Sequence, residues 1–519
     1  MSRPATTTTP EVCLLVEGTY PYVAGGVSTW VHQIITALPD LSFSVFFIGS
    51  EKSPTAKYKY QLPANVTRVD EIYLHDPITA PPRRQARGED AAAVHQAIRQ
   101  LLSHAPDDPA AAGALDDLST KVACLARRVS FDNFWRATGT WQLIQEIYHQ
   151  YAEGGSFLDF YWSLRSLVEP VWRLMSSVLQ VPPARVYHSL CTGYAGFVGG
   201  LAARHHNATF LLSEHGIYVR ERIADLQKAR WIHDPPILRP GLLQRPTLLR
   251  RVWIAFFELL GRFAYQSARR ITTLFVRNAG FQIELGAPPD KLEIIPNGVH
   301  PPDFDQLRAT RNALIAQNPE REVVGFLGRV VSIKDVKTLL RAARLTVDQR
   351  PAAQFLIAGP LDEEPAYAAA CQELSRNLGL ENHVQFLGPQ QRDDLLPAID
   401  IMLLTSFSEG LPFVILEAFA AAIPCVSTDV GSCRELIEGR ANEQPPLGPA
   451  GLVAPVGKAE LIASALIRLL RDRPLATRMG EAGRTRATAH YARDGVVQRY
   501  RELYCGEGVI GKELLVNGY

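Results

Sequence analysis

The sequence predicts an α/β protein: two Rossmann-like, doubly wound parallel-sheet domains in tandem, with a helical insertion in the first. Three observations predict this. At 519 residues the chain is long enough for more than one domain. Short apolar runs of strand type alternate with amphipathic helical patterns in two separate series. Pro296-Asn297-Gly298-Val299 closes the first series, and a Pro-led stretch from Pro301 to Asn318 reads as a linker, part of it helical. A composition of 47% hydrophobic and 21% charged residues suits chains with large cores.

The first series opens with the apolar run Glu11 to Val16, the loop Gly18 to Gly26, a helix from Val27 to Leu38 and a strand from Phe43 to Ile48. Alternation then stops. A Pro/Arg-rich connection over Asp76 to Arg87 leads into helical patterns at Ala91 to Leu102, Leu115 to Val129, Phe134 to Tyr151 and Phe157 to Leu179. We read residues 75–183 as the insertion. Strand Arg185 to His188, helix Gly193 to Arg204 and strand Thr209 to Ser213 resume the series. Asp225 to Thr247 reads as irregular. Helix Leu248 to Gln266, strand Arg270 to Leu274, helix Val276 to Leu285 and strand Leu292 to Ile295 complete this half.

The second series runs through strands at Val323, Gln354, Val384, Ile401 and Cys425, with helices between them. Gly439 to Gly451 reads as a loop, followed by amphipathic helices from Lys458 to Leu470 and Pro474 to Ala489. The expected division is 1–305, 306–490 and a helical tail, 491–519, that returns to the first domain. Tandem domains of this kind imply a crevice at the carboxyl ends of their strands.

The totals exclude several classes. Lys plus Arg is 54 and Asp plus Glu is 53, without the basic excess of a general nucleic-acid binder. The 7 Cys are scattered without a C-x-x-C, as in reduced cytoplasmic thiols. No run of eighteen apolar residues occurs, and Val12 to Val16 is too short for a signal peptide. A cytoplasmic protein is expected.

The stretch from Thr405 to Ala418 concentrates the chemistry. Strand Ile401 to Leu404 enters a turn, Glu409-Gly410-Leu411-Pro412, with Pro412 suited to a first helical position. The helix that follows starts with amides, those of Phe413 and Val414 included, that attract anions. Glu409 stands before it, and Glu417 lies inside it in apolar surroundings. Earlier in this domain Gly328-Arg329 ends a strand and Lys334-Asp335 opens a helix, so Arg329 and Lys334 are placed to stabilise a departing diphosphate. In the first domain Gly25-Gly26 precedes a helix; glycine permits positive φ and close backbone approach. Tyr20 and Tyr22 read equally as sugar-stacking or packing aromatics. His215 ends a strand in Ser213-Glu214-His215-Gly216. The mixed Arg/Lys/Trp stretch from Lys228 to Trp253 reads as a membrane- or partner-facing segment or as a solvated loop.

Gly328-Arg329-x4-Lys334 with Glu409-x7-Glu417, together with Ile295 to Val299 and Val384 to Gly388, resembles the donor site of the retaining GT-B glycosyltransferases of family 4. The opening Glu17-Gly18-Thr19-Tyr20-Pro21-Tyr22-Val23-x-Gly25-Gly26-Val27-Ser28-x-Trp30 narrows the resemblance to the soluble glycosyltransferases of Pel-type exopolysaccharide systems. The resemblance implies a GT-B fold, with two domains facing across a cleft, and hexose transfer from a UDP-sugar to a growing polysaccharide, without a metal or other cofactor. It implies that Arg329 and Lys334 grip the diphosphate. Glu409 holds sugar hydroxyls, and Gly410, Leu411, Phe413 and Val414 offer amides to sugar and phosphate. Glu417 takes the ribose, Leu387 and Gly388 meet the base, Gly25 and Gly26 face phosphates and acceptor, and His215 faces the donor sugar. His300 departs from the Asp common at that position and is not expected to act. An integral-membrane synthase or export partner at the inner membrane face is expected, and no nucleic acid. A UDP-sugar epimerase or hydrolase on the same fold, and a nucleotide-sugar-binding scaffold subunit, stand as alternatives.

Overall fold

The computed structural model describes residues 9–506 except 54, 56, 77–87, 106–107, 109, 152–155, 230–231, 233–247 and 441–442. Described residues up to Ile294 and from Leu503 onward form one compact unit, and Ile295–Glu502 form the other.

In the first unit, apolar, β-branched runs become β1 (Val12–Glu17), β2 (Phe43–Gly49), β3 (Val66–Tyr73), β4 (Val186–Ser189), β5 (Thr209–Glu214), β6 (Arg270–Thr273) and β7 (Leu292–Ile294). They pair in parallel in the order β3-β2-β1-β4-β5-β6-β7. β1 and β2 are buried almost throughout, as a parallel sheet covered on both faces requires. The edge strand β3 was not expected: Arg68, Asp70 and Glu71 interrupt its apolar pattern, and it is only partly buried. Helix Tyr218–Lys228 was also not expected; Arg220, Glu221, Asp225 and Lys228 are exposed while Val219 and Leu226 are buried.

The insertion is helical, as expected, and its helices bury their apolar faces in one core continuous with the sheet. The aromatic residues supply that core: Phe134 stacks on Trp172 at 4.6 Å, and Trp135 Nε1 donates to Tyr161 Oη at 2.7 Å. The single helix expected from Phe134 to Tyr151 is two, Phe131–Trp135 and Thr138–Tyr151. Most of the Lys228 to Trp253 stretch lies outside the described residues. The last described helix, Arg493–Cys505, ends with Tyr504 in the first unit: its ring meets Phe43 edge-on at 5.9 Å and its Oη lies 2.9 Å from His188 Nδ1.

The second unit holds β8 (Val323–Leu327), β9 (Gln354–Ala358), β10 (Val384–Gly388), β11 (Ile401–Leu404), β12 (Cys425–Thr428) and β13 (Gly451–Ala454). All pair in parallel, in the order β10-β9-β8-β11-β12-β13. β13 lies where the sequence reading stopped at a loop; it is four residues long and begins with glycine. Buried Arg486 braces the preceding loop, donating to Glu443 Oε1 and Oε2 at 2.7 and 2.8 Å and to the carbonyls of Leu436, Ile437 and Gly448. Among the described residues no helix is long and apolar enough to cross a membrane.

Candidate functional site

In the second unit the chain runs outward from β8 through β9 to β10, then returns beside β8 as β11 and continues the other way. The crevice at such a reversal is where open α/β sheets bind ligands. The loops after β8 and β11 flank it, and they carry Arg329, Lys334 and Glu409.

These two loops are tied to each other. Thr405 Oγ1 donates to the carbonyls of Lys334 and Asp335 at 3.0 and 3.1 Å, and Phe407 N donates to Ile333 O at 2.8 Å. Asp335, at φ 46°, caps helix Val336–Gln349 by accepting from Thr338 N. This brings Lys334 Nζ to 2.6 Å from Glu409 Oε1, with both side chains largely buried. Ser406 Oγ donates to the same oxygen at 2.6 Å, and Thr428 Oγ1 holds the Ser406 carbonyl at 2.7 Å.

The rest of the turn is fixed as firmly. Ser432 donates twice to Gly410 O, from N and Oγ, each at 3.0 Å. Asn297 Nδ2 donates to Leu411 O at 2.8 Å. Gly431, at φ +53°, lies so close to Glu409 that an added Cβ would be 2.1 Å from the Glu409 carbonyl oxygen. Pro412 is extended (φ −72°, ψ 120°) and precedes the helix, Phe413–Ala420; it is not the first helical residue expected. The amides of Phe413 and Val414 therefore open that helix at the end of the turn, where the dipole favours an anion.

Arg329 does not join Lys334 and Glu409. It pairs with Glu363 at 2.6 Å, both side chains 44% exposed. Such a pair contributes only about 0–1 kcal/mol and leaves the guanidinium free to move to a ligand. Glu417 lies one turn into its helix with Arg392 Nη1 at 3.3 Å. Burial pushes its carboxyl pKa up, and Arg392 pulls it back toward the ionised form. Leu387 and Gly388 end β10, two strands from β8, and Gly388 has φ +67°.

In the first unit His215 follows β5 and is buried, its ring edge-on to Trp30 at 5.1 Å. Burial pushes its pKa down to about 4, and among the described residues its Nε2 has no hydrogen-bond partner. Glu214 beside it is wholly buried and accepts from Tyr265 Oη, Gln282 Nε2, Thr192 Oγ1 and Tyr218 N. Four donors fix the turn that carries the imidazole. Gly25 and Gly26 are exposed at the start of helix Gly26–Ala37, and Gly25 has φ 172°, extended backbone open to any residue, so the positive φ that glycine permits is not used there. Tyr20 is buried against Tyr60, and Tyr22 donates to Glu71. His300 pairs with Asp303 at 2.8 Å. Among the described residues no group of three or more His, Cys, Asp or Glu is arranged to hold a metal ion.

Ser406, Thr428, Gly431 and Arg392 support the site without having been singled out in the sequence. Only Gly431, a lone glycine closely following a strand, left a signal there.

Residues 10–290, more than half of the chain, match the family model described as Domain of unknown function (DUF3492). The chain belongs to that family. Residues 311–486 match Glycosyl transferases group 1, so the unit with the Lys334–Glu409 pair carries a glycosyltransferase domain. A D-inositol 3-phosphate glycosyltransferase from Rhodococcus opacus is 30% identical over 42% of this chain and 49% of its own length. An N-acetyl-alpha-D-glucosaminyl L-malate synthase from Bacillus anthracis is 31% identical over 33% of this chain and 42% of its own. The chain spans about half the length of these relatives or less. Among solved structures, Anabaena HepE in complex with UDP aligns with a TM-score of 0.58 at 15% identity, over 96% of this chain and 100% of that one. Sucrose-phosphate synthase from Thermosynechococcus elongatus aligns at 0.57 and 16%, over 96% and 99%. At such identity the likeness shows the fold, the GT-B architecture of two Rossmann-like domains.

Proposed function

We propose that this protein is a retaining, metal-independent glycosyltransferase that moves a hexose from a UDP-sugar, UDP-glucose or a UDP-N-acetylhexosamine, to a growing exopolysaccharide. The observation that carries this reading is the Lys334–Glu409 pair at the strand reversal, clamped beside a helix N-terminus. In transfer, the bond between the sugar's anomeric carbon and the diphosphate oxygen breaks, and negative charge grows on the leaving UDP. Lys334, Arg329 and the amides of Phe413 and Val414 answer that charge. Glu409, fixed by Ser406 and Lys334, accepts hydrogen bonds from sugar hydroxyls, while Glu417 accepts them from the ribose. Retention places attack and departure on one face, with the leaving diphosphate taking the acceptor's proton. His215, held neutral by burial, faces the donor sugar. The first domain takes the acceptor, with Gly25 and Gly26 beside it, and the second the donor.

The relatives that carry glycosyltransferase names support the donor half of this reading, and the Glu17 to Trp30 motif, which resembles that of PelF, the soluble glycosyltransferase of Pel systems, supports the acceptor half. An integral-membrane synthase partner at the inner membrane face fits a polymerising enzyme of this kind. The test is UDP release from a panel of UDP-sugars. Arg329→Ala, Lys334→Ala and Glu409→Ala are expected to lose activity, and the parent to keep it in excess EDTA. Three variants that turn over like the parent sink the donor-site assignment. Strict metal dependence sinks the mechanism. Sugar conversion without an acceptor makes the protein an epimerase or hydrolase.

A further inference from the structure

Glu417 is held by a group that the diphosphate site does not use. Arg392 opens the short helix Arg392–Leu395 just beyond the end of β10. Its guanidinium lies 4.7 Å over the ring of Phe304, itself buried, while its Nη1 reaches Glu417 Oε1 at 3.3 Å and its Nε reaches Asp393 at 2.9 Å. A planar cation stacked on a fixed ring loses little further freedom when it forms a hydrogen bond, so its edge is aimed in advance. The Glu417 side chain is 19% exposed, enough to meet a ligand and too little to be solvated freely. The charged groups facing it are Arg392 and Asp393, and Arg392 also faces Asp303 beside Phe304. Burial and Asp393 favour the protonated acid, and Arg392 opposes both. The distinction matters for a diol, since the ionised carboxylate offers an accepting oxygen to each hydroxyl, whereas protonation turns one of the two oxygens into a donor.

We propose that Arg392, stacked on Phe304, is a positioning residue that keeps Glu417 ionised and aimed, so that the site selects ribonucleotides through both ribose hydroxyls. The proposal rests on the nucleotide-sugar reading and adds a nucleoside-selecting element separate from the diphosphate grip of Arg329 and Lys334.

The experiment is calorimetric titration of the full chain with UDP, 2′-deoxy-UDP and inorganic pyrophosphate between pH 5.5 and 8. Arg392→Gln keeps a planar group over Phe304 and removes the charge; Arg392→Lys keeps the charge. The parent is expected to prefer UDP over 2′-deoxy-UDP. Arg392→Gln should bind UDP about tenfold more weakly, the worth of a charged hydrogen bond. It should lose most of the ribose preference, and its UDP affinity should fall away at higher pH than the parent's. Arg392→Lys should retain the parent's pH profile, and pyrophosphate affinity should be unchanged throughout. An Arg392→Gln protein with the parent's ribose preference and pH profile overturns the proposal, and so does one that loses pyrophosphate and UDP equally. A parent that binds neither UDP nor pyrophosphate overturns the underlying reading of the site instead. If Arg392→Gln does not fold, Glu417→Gln decides: it should lose the ribose preference and keep pyrophosphate, and a retained preference overturns the proposal.

Discussion

Replacing Gly431 by alanine tests whether the position of the Glu409 turn matters as argued. The new Cβ would lie 2.1 Å from Glu409 O and 2.5 Å from Gly410 O, where separations below 3.0 Å essentially never occur. The Glu409 peptide must therefore retreat by about 1 Å, and a misplacement of that size at a reacting centre costs roughly 100-fold in rate. Retreat is resisted, because Ser432 holds Gly410 O from two donors. Alanine also pays a left-handed backbone penalty of about 1–2 kcal/mol. Gly379→Ala separates the two effects, since Gly379 has φ +63° and open space around its would-be Cβ. The assay is kcat/KM for UDP release, with urea unfolding to confirm that each variant is folded. Gly431→Ala should fall by about 100-fold and Gly379→Ala should stay within about threefold of the parent. A folded Gly431→Ala protein within about threefold of the parent refutes the argument that this turn must be held in place.

Other perturbations read out different parts of the structure. Lys334→Met leaves the largely buried Glu409 carboxylate with Ser406 as its remaining side-chain partner among the described residues, and should lower stability by about 1–3 kcal/mol in urea unfolding; adding Glu409→Gln should recover part of that loss. Arg486→Met leaves Glu443 buried without its guanidinium and should cost about 3–5 kcal/mol. The same pair holds the Glu443 carboxyl below the ordinary carboxylate range, so its stabilisation is complete above that range and is lost as pH falls through the depressed value; in Arg486→Met this acid sensitivity should diminish. His215, pushed down to about 4, stays neutral while the unfolded chain takes a proton below about 6.5, so stability should fall as pH drops through that window, by about 3 kcal/mol across it. His215→Phe should flatten this fall between pH 7 and 4.5, and an unchanged slope would show that the imidazole is not shielded.

The strands of both sheets were legible wherever they were wholly buried, because a strand covered on both faces must be a continuous apolar run. β3 escaped for the complementary reason: as an edge strand it carries Arg68, Asp70 and Glu71 without penalty. β13 escaped as the far edge of the second sheet: it begins with a glycine, and its two central residues, Leu452 and Val453, are only partly buried. Within the candidate site, the resemblance to a known donor-site motif singled out Lys334 and Glu409 but said nothing about their contact, which depends on Thr405 and Phe407 fastening one loop to the other. Arg329 shows the limit of motif reading: it stands next to the same strand end and turns instead to Glu363. Arg392 was invisible because its neighbours Phe304 and Glu417 are distant in sequence, and nothing local marks a cation that stacks on one and pairs with the other.

Tyr504 has a consequence for how the chain is made. Its ring and hydroxyl complete a region lined by Phe43 and His188, yet some two hundred residues of the second unit separate it from the rest of the first. At about 5–20 residues per second, a ribosome delivers that tyrosine roughly 10–40 s after Ile294. During that interval the nascent first sheet must persist with an open seam beside β2 and β4. A protein ended before Leu503 would keep that seam for life, and should be recovered mainly in association with chaperones or as aggregate.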